Sequence, residues 1–180
     1  MNWRNAAHER KDTAMNDVKA YNVIFPIWMF LFFPPVVFIA LFGNFIIDSL
    51  VLIGCYYWFK CSPSLTAFYK KHIFVVWIFG FLADIIGAAI LLSIYVSETF
   101  IGLPYELVMA ISYNPFLDPW AFVIILLAIL VSGLFIFLFN YHFTFKKTIE
   151  DKRKRAKVSL TIAVLTLPWT FLIPMDWAFG

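Results

Sequence analysis

Two carboxylates sit inside stretches that are otherwise almost wholly apolar: Asp48 within FIIDSLVLIG and Asp84 within FLADIIGAAI. An acid at the centre of a bilayer costs about 2.5–3.5 kcal/mol on insertion scales, so it is expected to face protein or water and to have a partner. Asp84 falls ~18 Å along a helix counted from His72, near mid-bilayer. Asp48 falls one helical turn beyond Asn44, which places it below the outer boundary. Two carboxylates held close in low dielectric share a proton or hold a cation between them. That is the chemistry of a proton or cation site, to which Asn44, Ser49 and Ser93 add polar groups in the same half.

Other chemistries find less in the sequence. An acidic pair could serve an intramembrane protease, but the glycine-flanked aspartate motif of such enzymes is missing. So are HExxH, GxSxG, a P-loop and a dinucleotide fingerprint. His8, His72 and His142 lack metal-ligand spacing and are expected at surfaces or interfaces. Cys55 and Cys61 lie toward the expected cytoplasmic face, where neither a disulfide nor a metal site is anticipated. The sequence therefore points to no enzyme, no cofactor and no metal.

Several features would position or surround the acids. Gly80, Ala83, Gly87 and Ala88 are small residues three and four apart, which let another helix backbone approach closely. Pro34 and Pro35 interrupt an apolar stretch and remove two backbone donors, so a break there exposes carbonyls or kinks the helix. Lys146, Lys147, Lys152, Arg153, Lys154, Arg155 and Lys157 form a basic cluster beside an apolar stretch. Such a cluster anchors topology and attracts anionic lipid headgroups, at about 1 kcal/mol per charge near the surface, and no nucleic acid is expected as a partner.

The composition dictates what kind of elements these are. Of 180 residues, 63% are hydrophobic and 14% charged, against roughly a quarter charged in soluble domains. Mean hydropathy is +0.85. Lipid solvates such a surface and water does not. The fold expected is all-α, a polytopic membrane bundle in a single domain spanning 1–180. About five transmembrane helices are expected, near residues 23–42, 45–59, 72–96, 120–140 and 158–175, with a tight turn at Gly43-Asn44. The second stretch is short, so 23–59 could instead form a hairpin entering and leaving by one face.

All 14 Lys and Arg fall in residues 1–22, 60–71 and 141–157, which five crossings put on one face. Basic flanks stay inside, so the N-terminus is expected in the cytoplasm, with 1–22 a surface segment, and the C-terminus outside. Trp28, Trp58 and Trp77 are placed toward the inner boundary, and Trp120, Trp169 and Trp177 toward the outer. Pro104 is suited to starting a short surface helix, and Asp118-Pro119 to opening the fourth span. Thr148 with Asp151 resembles a capping box opening a helix into the fifth. With no signal peptide and short loops, a multi-pass protein of a bacterial plasma membrane is expected.

These features favour a non-enzymatic subunit of a membrane complex, docking a protein partner or further copies of itself through the Gly80–Ala88 face with Asp84 as a polar hook. The alternative is a small oligomeric channel or ion-coupled transporter using Asp84 and Asp48. An intramembrane enzyme ranks third.

Overall fold

In lipid the backbone must satisfy its own hydrogen bonds, and a helix does so within one segment. The computed structural model describes residues 26–32, 36–97, 102–175 and 177, and every regular element among them is helical. The α-helices are α1 Val36–Phe59, α2 Leu65–Val96, α3 Tyr105–Ser112, α4 Pro119–Phe139 and α5 Lys152–Leu165. Short 3-10 turns occupy Ile27–Phe32, Pro115–Leu117 and Trp169–Leu172, and α4 runs on as a π-helix through Asn140–Thr144. Among the described residues three helices are long and apolar enough to cross a membrane: α1, α2, and α4 with its extension.

Local chemistry sets the helix ends. Lys60 takes a left-handed conformation (φ 49°) that terminates α1, and Ser64 then caps α2 by accepting the Ala67 N–H. Asp118 caps α4 by accepting the Trp120 and Ala121 N–H groups at 2.7 and 3.0 Å, with Pro119 at the first helical position. Asp151 caps α5, accepting the Arg153 N–H at 2.8 Å.

The four longer helices close a ring in which α1 neighbours α2, α2 neighbours α4, α4 neighbours α5, and α5 neighbours α1. Lys154 Nζ donates to the Lys60 carbonyl at 2.8 Å, which ties the α1–α2 turn to the start of α5. At this end lie all ten Lys and Arg of the described residues. One apolar cluster, with Leu52, Phe68, Ile136 and Val158, fills the basic half of the ring. A second, with Trp28, Leu91, Ile125 and Phe171, fills the other half, where α3 and the 3-10 turns close the bundle.

Several expectations are corrected. No turn exists at Gly43-Asn44: both residues lie inside α1, which is one helix of 24 residues where two spans were anticipated. With apolar neighbours on both sides and no water competing for the backbone, Gly and Asn continue the helix. The connection expected over residues 60–71 is confined to 60–64, because α2 starts at Leu65, seven residues before the expected 72. His72 therefore lies two turns inside the bundle, 2% exposed between the rings of Phe68 and Phe145, and is no surface residue.

Residues 158–175 are not a continuous span either. The helix runs Lys152–Leu165 and stops ahead of Pro168, where the proline disfavours helix in the preceding residue. Thr148 takes no part in a capping box, since its hydroxyl has no hydrogen-bond partner among the described residues and the α5 cap is Asp151. Trp28 and Phe171 share a cluster, so the described chain begins and ends at the same end of the bundle, opposite the basic one. Trp28 accordingly sits at that end, with Nε1 donating to the Ile111 carbonyl at 3.4 Å. Trp77 sits in mid-helix, donating to the Leu41 carbonyl at 2.8 Å. Pro34, Pro35 and the segment 1–22 lie outside the described residues.

Candidate functional site

The site is built between the two apolar clusters. Because α1 is continuous, Asp48 stands twelve residues beyond its first residue, about 18 Å along the axis and not just beneath a turn. Asp84 stands on the neighbouring α2. Asn44, one turn before Asp48 on the same face of α1, donates from Nδ2 to Asp84 Oδ2 at 3.0 Å. The other oxygen, Asp84 Oδ1, is buried and has no hydrogen-bond partner among the described residues. Asp48 is 3% exposed and Asp84 6%.

Asp48 faces α2 at Gly80: a methyl added there would lie 3.4 Å from Asp48 Oδ2, in ordinary van der Waals contact with the carboxylate. Asn44, Asp48 and Asp84 together line a cavity of about 330 Å³. Its far wall is the segment from Leu165 to Phe171, where α5 has ended. Ile47, Trp169 and Thr170 on its margin are exposed, so the cavity opens between α1 and that segment.

The α5 wall brings charge as well as shape. Pro168 has no N–H to offer the Val164 carbonyl, and the Trp169 N–H is already bonded to the Leu167 carbonyl at 2.7 Å. α5 thus ends at Leu165, and the negative end of its dipole stands at the cavity wall. No Lys, Arg or His lines the cavity among its described residues. Two carboxylates, an amide and a helix C-terminus thus converge without a fixed counter-charge. Such a constellation accepts a proton or a cation and repels anions.

The remaining sequence candidates are dispersed. Ser49 Oγ bonds to the Phe45 carbonyl (2.6 Å) and to Tyr69 Oη (2.9 Å), away from the cavity. Ser93 is exposed and bonds to the Ala89 carbonyl at 2.7 Å. Ala83 and Ala88 are fully buried, and the Gly87 backbone lies against Ser132, the Ala128 carbonyl and Phe171. The small-residue face of α2 is therefore filled by α1, α4 and the post-α5 segment of the same chain. In the basic cluster, Lys146, Lys147, Lys152, Arg153 and Lys157 are exposed, and Lys154 is half-buried on Lys60. Arg155 is turned inward, its Nη1 donating to the Lys146 and Ile149 carbonyls at 3.4 and 3.3 Å.

Two groups escaped the sequence. The post-α5 wall is made where α5 ends, which no single residue signals; Pro168 flanked by Thr166 and Thr170 was the available sign. In the basic half, His72 Nε2, Asn140 Oδ1, Thr144 Oγ1 and Ser159 Oγ are buried without hydrogen-bond partners among the described residues. Asn140 and Thr144 belong to the π-helix, a distortion frequent at functional sites. Compared with protein families, with curated proteins and with solved structures, the chain matches none.

Proposed function

We propose that this chain moves protons or a monovalent cation across a membrane, as a small channel or ion-coupled transporter with Asp48 and Asp84 on the path. The observation that carries the proposal is the 330 Å³ cavity with two buried carboxylates and an Asp84 Oδ1 that has no partner among the described residues. A carboxyl group so placed is costly unless a proton or cation completes it. The α5 break adds support, since unwound segments and half-helix C-termini are where transporters hold cations.

In this proposal α1, α2 and α4 cross the bilayer, and α5 with the segment after it makes a fourth passage. The basic end faces the cytoplasm of a bacterial plasma membrane, and the residues after α5 face outward. The test is flux into liposomes containing a pH-sensitive or cation-sensitive dye, with the membrane potential clamped. The full chain is expected to conduct, and Asp84→Asn to lower the rate at least tenfold while helicity and elution volume stay unchanged. A chain that conducts nothing, or an Asp84→Asn variant that conducts normally, would overturn the assignment.

A second reading, a subunit of a membrane complex, has one observation in its favour. Only 11% of the α1 span is buried within the bundle, against 39% for α2 and 33% for α4. Phe38, Ile39 and Phe42 on α1 are thus offered to lipid, to a partner's helix or to another copy of the chain. Native mass spectrometry from the source membrane separates these: a stoichiometric second polypeptide favours the subunit reading, and the chain alone counts against it.

A further inference from the structure

A groove of about 440 Å³ runs between α4 and α5 on the side of the bundle away from the carboxylates. Its walls are carbon almost throughout. Leu134 (54% exposed), Leu160 (55%) and Val164 (50%) leave it open along its length to whatever surrounds the bundle. Toward its inner end α4 comes so near at Gly133 that an added methyl would run into the Leu167 side chain, and Leu130 and Leu167 form the last of its lining. At the other end stands Lys157, the one charged residue among its described lining. Arg153 lies one turn earlier on the same face of α5, and both side chains are exposed.

Length and charge together say what fits. The helical part of its α5 wall, Lys157 to Val164, rises seven residues, about 10 Å, and Leu167 carries the groove past the helix end. That fits within one leaflet, half of a hydrocarbon core roughly 30 Å thick. An apolar slot that fits within one leaflet, with a cation at its basic end, matches an acyl chain joined to a negative headgroup. A general preference for lipid would not require the cation at the mouth, and a purely electrostatic one would not require the slot.

We infer that the α4–α5 groove is a binding site for one anionic glycerophospholipid of the leaflet at the basic end. One acyl chain lies along Leu134, Leu160 and Val164, and the phosphate is held by Lys157 with Arg153. The groove shares Leu167 with the carboxylate cavity but none of its polar residues, and the proposal does not depend on conduction.

The test uses the full chain, delipidated in mild detergent and given equal amounts of phosphatidylglycerol and phosphatidylcholine with identical acyl chains. Bound lipid is read by native mass spectrometry. One phosphatidylglycerol per chain is expected, retained over phosphatidylcholine by roughly tenfold, the order that one or two interfacial charges supply. Lys157→Glu should abolish that preference, and Lys157→Gln should lower it if the reversed charge prevents folding. Leu160→Trp, on an exposed position, should fill the slot and reduce retention severalfold with the charges intact. Equal retention of the two lipids would overturn the inference. So would retention that survives Leu160→Trp, since the lipid would then be held by the basic cluster without the groove.

Discussion

Replacing Gly43 by alanine distinguishes a continuous α1 from two spans joined by a turn, because the two predict opposite signs. Within a helix, glycine is less favourable than alanine by about 0.8–1.0 kcal/mol, partly because the unfolded chain is freer. Gly43 has no left-handed backbone, and a methyl built on it meets nothing within 4 Å. Gly43→Ala is therefore expected to stabilise the protein by ~0.5–1 kcal/mol. A tight turn using a left-handed Gly43 would instead make alanine destabilising, by more than ~1 kcal/mol. Gly87→Ala supplies the contrast. It gains the same helix preference, but its methyl collides with Ser132 Oγ and comes within 3.2 Å of the Ala128 carbonyl and the Phe171 ring. Overpacking of this kind costs ~1–3 kcal/mol, so a net loss of up to ~2 kcal/mol is expected. Both variants can be compared with the parent by reversible unfolding in mixed micelles followed by far-UV circular dichroism. A destabilised Gly43→Ala beside an undisturbed Gly87→Ala would refute both the helix and its packing.

Two further outcomes follow from the basic end. Arg155→Lys keeps the charge but loses a planar group that bonds two carbonyls and lies 4.5 Å over the Tyr141 ring; a loss of ~1–3 kcal/mol is expected in the same assay, and an unchanged stability would count against the contact. Burial pushes the Cys61 thiol up from its ordinary value while Lys154 opposes the shift, so Cys61 should carry less thiolate at pH 8 than a free cysteine. Its alkylation, followed by mass spectrometry, should be slow and should accelerate only at higher pH; Lys154→Ala should slow it further, and faster labelling in that variant would show the sign to be wrong.

What the sequence made legible was whatever an apolar background throws into relief. A helical bundle with long membrane-length helices follows from composition and run length, because lipid leaves few alternatives for the backbone. Caps were legible too, since Asp118 and Pro119 act through their own side chains. Boundaries were not. Gly43-Asn44 reads as a turn by aqueous propensity, yet Asn44 spends its amide on Asp84 and stays helical. Lys70 and Lys71 read as loop by charge, yet long stems let them ride on the surface of α2. Polarity alone could not say that Lys154, nominally a lipid anchor, binds the Lys60 carbonyl.

The candidate site divides along the same line. Its carboxylates stand out because an aspartate in an apolar run is costly and so rarely incidental. Their register does not, because the depth of Asp48 depends on whether Gly43 bends the chain. Once α1 is straight, Asn44, Asp48, Gly80 and Asp84 fall at one level of the α1–α2 contact. The third wall was beyond any count of side chains. It exists because Pro168, with no N–H to give, stands just past the end of α5 and the Trp169 N–H turns to the Leu167 carbonyl, which brings the residues from Leu165 to Phe171 across the cavity. The paired prolines at 34 and 35, which read as a packing kink ahead of a carbonyl-exposing break, lie outside the described residues. Pro168 carried no such signal, yet it falls where the helix that ends ahead of it is already opposite two acids.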